Sequence, residues 1–169
     1  MIRFAFIFSI LLFSQSLFGQ KQTTNDKQEI QNVLNTFMEC LAKKDSTKFY
    51  SLFHNESVTW VGLFREKTQQ AILKQNSKTP THFTSTYKAF FRGISGFTSC
   101  EEKFYNVEII EDGSIASVTF DYSFWGNKQK LNWGKESWGL VKINEQWKIT
   151  SVIFSMEYES ISPEPNTKK

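Results

Sequence analysis

Tyr122 and Lys135 are the side chains of this sequence best placed by type and spacing to act on a small molecule. A turn centred on Asn127-Lys128 joins two apolar-alternating segments, and a simple two-residue hairpin pairs Tyr122 with Trp133 and Phe120 with Lys135. The same register sets Val118 opposite Ser137 and Ala116 opposite Gly139, and it sends Asp121, Glu136 and Trp138 to the outer face. A phenol and an ammonium on one inward apolar face can orient an anionic or carbonyl ligand. The competing reading makes Tyr122 a core residue with its hydroxyl at the rim, and Lys135 a side chain that snorkels past aromatic surface to reach water.

His54 and His82 are the two histidines. His54 follows a helix end and precedes a strand, where it can join Tyr122 as acid or base or simply hold the junction. A metal site needs three or four ligands, which two isolated histidines do not supply, so no metal is expected. No Gly-rich phosphate loop, Ser-centred elbow or Cys-x-x-Cys is present, so no cofactor is expected either. Cys40 and Cys100 allow a disulfide if the chain is exported, although Cys40 sits between apolar helix positions, where a buried free thiol is common. Neither has a sequence neighbour suited to activating it as a nucleophile.

Aromatic residues make up 16% of the chain. Trp60, Phe64, Phe120, Tyr122, Phe124 and Trp133 are the candidates to line an apolar ligand cavity.

These side chains need a scaffold. Ile30, Val33, Leu34, Phe37, Met38 and Leu41 form one stripe at helical spacing, with Asn25 and Gln28 as a capping box, which predicts a helix over 26–44. A short helix follows over 47–53, then a strand over 57–62 and a helix over 67–75. Residues 82–97 give no clear period. Long strands are expected over 104–110, 114–125, 131–143 and 147–156, with tight turns at Asp112-Gly113 and Asn144-Glu145. The segment 158–169, with two prolines, reads as a disordered tail.

Residues 1–19 carry Arg3, an apolar run from Phe4 to Phe13 and then small residues ending at Gly19, the order of a secretory signal peptide. The run is too short to span a bilayer, so the mature chain from Gln20 is expected to have no membrane span and to be exported, periplasmic or extracellular. There are 20 Lys+Arg against 17 Asp+Glu, without basic clusters, which gives no reason to expect a nucleic-acid partner.

Several short motifs in this order resemble the nuclear-transport-factor-2-like, or SnoaL-like, superfamily over residues 26–157. They are the helix ending before Lys44-Asp45, the junction Leu52-Phe53-His54, the turn and strand start Asp112-Gly113-Ser114-Ile115-Ala116, the strand Glu136-Ser137-Trp138-Gly139-Leu140-Val141 and the closing Trp147-Lys148-Ile149. The resemblance implies an α+β fold: a cone with N-terminal helices packed on a highly curved antiparallel sheet, a pocket between the layers, and in many members a homodimer through the outer sheet face. Members include isomerases, cyclases, dehydratases and non-catalytic binding modules, so fold alone leaves function open. Members that resemble ketosteroid isomerase place a carboxylate on the first strand, where this chain has Thr59-Trp60, and an acid on the penultimate strand, where the hairpin register above puts Ser137 or Gly139 inward. Others have a histidine near the end of the last strand, where this chain reads Val152-Ile153-Phe154-Ser155. The expectation is therefore a binding domain for a small apolar molecule. The alternatives are an enzyme of the isomerase, cyclase or dehydratase type using Tyr122 with His54 or Lys135, and a protein-interaction module using the outer sheet face.

Overall fold

The structure is a computed structural model that describes residues 14–54 and 57–165, with side chains from Asn25 onward. Residues 1–13 of the expected leader and residues 166–169 of the expected tail lie outside the described residues. Among the described residues no helix is long and apolar enough to cross a membrane.

Helix α1 spans Ser14–Lys43 and runs straight through Asn25, which bonds to Glu29 one turn on instead of capping. Its stripe faces inward: Ile30, Leu34, Phe37 and Leu41 are all buried. Each such side chain contributes about 1.5–3 kcal/mol by leaving water. Asp45 caps α2 (Ser46–Ser51), its carboxylate accepting the Lys48 N–H at 2.9 Å. Then come β1 (Thr59–Phe64), α3 (Glu66–Gln75), β2 (His82–Thr84) and α4 (Tyr87–Gly93). A meander of β3 (Cys100–Glu111), β4 (Ile115–Gly126), β5 (Gln129–Ile143) and β6 (Gln146–Tyr158) completes the chain.

The sheet order is β2-β1-β6-β5-β4-β3. The four long strands are antiparallel as expected, but β1 joins β6 in parallel, so the sheet is mixed. The chain leaves β1 through α3, β2 and α4 to the far edge, and the meander brings β6 back beside β1 in the same direction. Helices α1, α2 and α4 cover the inner face: Phe37 of α1 meets Phe49 of α2 at 4.9 Å and Trp138 of β5 at 4.8 Å, and Phe49 meets Phe91 of α4 at 4.7 Å between ring centres.

The β4–β5 register corrects the expectation from sequence. The turn is where it was expected, with Asn127 and Lys128 at φ of 52° and 67°, the left-handed pair of a type I′ hairpin. Gly126 pairs with Gln129 and Trp125 with Lys130, but Phe124 then pairs with Asn132. Leu131 is thus an extra residue, a β-bulge that shifts every later pair by one. Tyr122 lies opposite Gly134, Phe120 opposite Glu136, and Asp121 opposite Lys135. Trp133 and Lys135 consequently turn outward, whereas Glu136 and Trp138 turn into the core.

The segment after β6 covers part of the outer face through Pro165, where a loose tail was expected. Trp133 donates from Nε1 to the Ser162 carbonyl at 2.9 Å, and Lys130 pairs with Glu164 at 2.9 Å.

Candidate functional site

A partly open cavity of about 220 Å³ lies between the helices and the inner sheet face. Six aromatic rings dominate its wall: Phe37, Trp60, Phe83, Phe90, Phe124 and Phe154. Each comes from a different element, so this wall exists only when α1, α4 and four strands, β1, β2, β4 and β6, are assembled. The polar lining includes Glu102, Tyr122, Asn132 and Glu136.

Three adjacent strands bring Glu102 of β3, Tyr122 of β4 and Glu136 of β5 onto this face. Glu102 pairs with Phe124, and Glu136 with Phe120, so the two carboxyls flank Tyr122 diagonally. Gly134, opposite Tyr122, is required by space. A Cβ there would lie 1.9 Å from the Ser155 carbonyl oxygen and 3.0 Å from the Tyr122 ring. Its absence lets the Tyr122 hydroxyl reach across β5 and donate to that carbonyl at 3.1 Å.

Both carboxyls are buried, Glu102 being 5% and Glu136 6% exposed. Glu136 accepts from Trp138 Nε1 at 2.7 Å. Among the described residues, no side chain or backbone group hydrogen-bonds the Glu102 carboxyl. Burial pushes Glu136 up to about 8, partly offset by the Trp138 bond. Glu102 is pushed well above the ordinary carboxylate range, first by burial and then by the neighbouring Glu136. Tyr122 is raised by burial and by the two carboxyls. At neutral pH the pair is therefore an acid site that holds protons. None of the lining residues is Lys, Arg or His.

Of the residues expected to bind ligand, Trp60, Tyr122 and Phe124 line this cavity. Phe64 sits beyond it, 5.4 Å from Phe83 and 6.0 Å from Tyr158 between ring centres. Phe120 is sealed in the core against Phe104 at 4.2 Å. Trp133 lies on the outer face with the Arg65 guanidinium 4.6 Å from its ring centre. The expected acid–base partners do not converge. Lys135 is outside, 3.4 Å from Asp121, and His54 belongs to a separate surface depression with Phe53, Asn144 and Lys148. The bulge at Leu131 explains why sequence reasoning missed Glu136. Glu102 has only a weak signal, a carboxylate two residues before Phe104 on the same side of β3.

Cys40 and Cys100 are free and buried. Burial raises both thiols, Cys100 to about 12, which removes it as a nucleophile at neutral pH. Among the described residues no group of three or more His, Cys, Asp or Glu is placed to hold a metal ion.

The helix-on-sheet arrangement matches solved structures. A nuclear-transport-factor-2-like protein with a cystatin-like fold from Novosphingobium aromaticivorans superposes with a TM-score of 0.62 over 84% of this chain and 88% of that one, at 10% identity. The fold is the nuclear-transport-factor-2-like one. A second protein of that organism, provisionally named a scytalone dehydratase, gives 0.59 over 82% and 88% at 15% identity. A provisionally named dehydratase of the nuclear-transport-factor-2-like family from Streptomyces avermitilis gives 0.58 over 79% and 96% at 13% identity. No protein-family model and no curated protein matches the chain. In this fold the cavity between helices and sheet holds the aromatic wall and the carboxyl pair.

Proposed function

We propose that this protein is a binding domain for a small, largely apolar molecule, held in the aromatic cavity without being chemically changed. The observation that carries this reading is an open cavity walled mainly by aromatic rings, with one buried carboxyl, Glu102, left for a ligand to satisfy. A cavity of 150 Å³ accepts benzene, so 220 Å³ suits a ligand of roughly nine non-hydrogen atoms. The Tyr122 hydroxyl is already engaged by Ser155, and His54 and Lys135 lie elsewhere, which argues against the acid–base sets that the sequence suggests. The leader-like residues 1–19 favour export, and the native protein then begins near Gln20 by mass spectrometry.

The test is a thermal-shift and calorimetric screen against compact hydrophobic compounds. A ligand at one hundred times its dissociation constant adds about 2.7 kcal/mol of stability. Trp60→Ala or Phe124→Ala should abolish the shift. Absence of any saturable ligand in such a screen would sink the reading.

A second reading is favoured by the carboxyl pair itself. Two acids of raised pKa facing one cavity can divide the work of a dehydratase once one of them is ionised, that one removing a carbon-bound proton while the other, still protonated, gives its proton to a departing hydroxyl. Release of water from a β-hydroxy carbonyl compound, lost in Glu136→Gln, would replace the binding reading with this one.

A further inference from the structure

Resting on the binding reading above, we infer that the cavity selects a compact organic ammonium ion, its apolar body against the aromatic wall and its cationic head between Glu102 and Glu136.

Three features of the site converge on this charge. Both carboxyls face one cavity, and Glu102 has no hydrogen-bond donor of its own among the described residues. No cationic side chain lines the cavity to neutralise them. Six aromatic rings dominate the rest of the wall, and their electron-rich faces attract cations most strongly where water is excluded. A primary ammonium supplies what the pair lacks. It brings one positive charge and three donors to groups that, once ionised, only accept. A neutral carbonyl compound accepts one hydrogen bond from a protonated carboxyl and brings no donor to either. An anionic ligand brings a negative charge into a site where burial already disfavours ionisation of both carboxyls.

The titratable groups beside the pair are Cys100 on β3 and Tyr122 on β4; Arg65, just before α3, rests its guanidinium against Trp133 on the outer face, and its charge acts on Tyr122. Tyr122 and Cys100 stay neutral through the range of interest, because burial raises both. The proton exchanged on binding is then a carboxyl proton. An ammonium displaces it, so binding of a cation should release a proton at neutral pH, and affinity should climb with pH until the carboxyls ionise unaided. A neutral ligand shows the opposite dependence.

The experiment compares phenethylamine, 2-phenylethanol, acetophenone and phenylacetate by isothermal titration calorimetry with the full-length protein. At pH 7 phenethylamine should bind at least tenfold tighter than 2-phenylethanol. Its affinity should rise several-fold from pH 6 to pH 7.5, and titrations in buffers of different ionisation enthalpy should show net proton release. Glu102→Gln should cut the preference for amine over alcohol at least fivefold. The proton-release measurement needs no variant, so it stands even if Glu102→Gln does not fold. If 2-phenylethanol or acetophenone binds and phenethylamine binds no more tightly, or if amine affinity is flat from pH 6 to 7.5, the ammonium inference is overturned and the binding reading stands. If none of the four saturates, this inference falls for compact ligands of that size and the binding reading loses its main support.

Discussion

Trp138 donates its indole N–H to the Glu136 carboxylate at 2.7 Å, a bond between two residues on the same buried face of β5. It is the one contact acting against burial, which otherwise drives the Glu136 carboxyl upward. Trp138→Phe keeps the ring and removes the donor. The Glu136 carboxyl should then titrate above its present value of about 8, followed by carbon NMR of the side chain. An unchanged or lower midpoint would show that the bond does not hold the ionised form.

Stability should fall as pH rises from 5 to 8. Folded Glu136 keeps a proton up to about pH 8, whereas the exposed group releases it near 4.5. Between those values the unfolded chain binds fewer protons, so each step upward in pH favours unfolding. The contribution is fully present below the unfolded value and lost as pH passes the folded one. Glu102 acts in the same direction. The total should be on the order of a few kcal/mol in urea unfolding. Glu136→Gln should flatten the profile. A rise in stability across this window would contradict the burial of both acids.

Gly134→Ala should destabilise the fold by about 1–3 kcal/mol or more, because the added methyl meets backbone oxygen instead of a movable side chain. It should also disturb Tyr122, whose ring lies 3.0 Å from the new carbon. Urea unfolding gives the first effect and the Tyr122 ring resonances the second. A variant as stable as the parent would mean that β5 and β6 separate easily there.

Leu34→Ala should cost about 2–5 kcal/mol, since the side chain is wholly buried beneath the sheet. Asn35→Ala, one residue on and exposed, should stay within about 0.5 kcal/mol. Equal effects in thermal unfolding would refute the inward stripe of α1.

The helical stripe was legible because Ile30, Leu34, Phe37 and Leu41 repeat at a period that needs no partner to recognise. The long strands were legible for the same reason at period two, and the hairpin turns from their Asn residues. What did not show was Leu131. A single bulged residue carries no distinctive composition, yet it exchanges the two faces of β5 and carries Glu136 from surface to pocket. Residues 82–97 were unreadable because β2 is three residues long and α4 only seven, too short for any period to accumulate. The parallel pairing of β1 with β6 was equally hidden, since partners distant in the chain leave no local trace.

That parallel pairing also bears on how the chain reaches its native state. Thr59 finds its partner only at Ser151, and Phe64 only at Met156. A nascent chain ending before Gln146 offers β1 no neighbour but the short β2, and Trp60 waits without the Val152 it lies beside in the finished sheet. Loop closure of that span must be completed before its contacts contribute. Synthesis of the last strand, and not of the first helix, is therefore the event that gives β1 its long neighbour and completes the sheet.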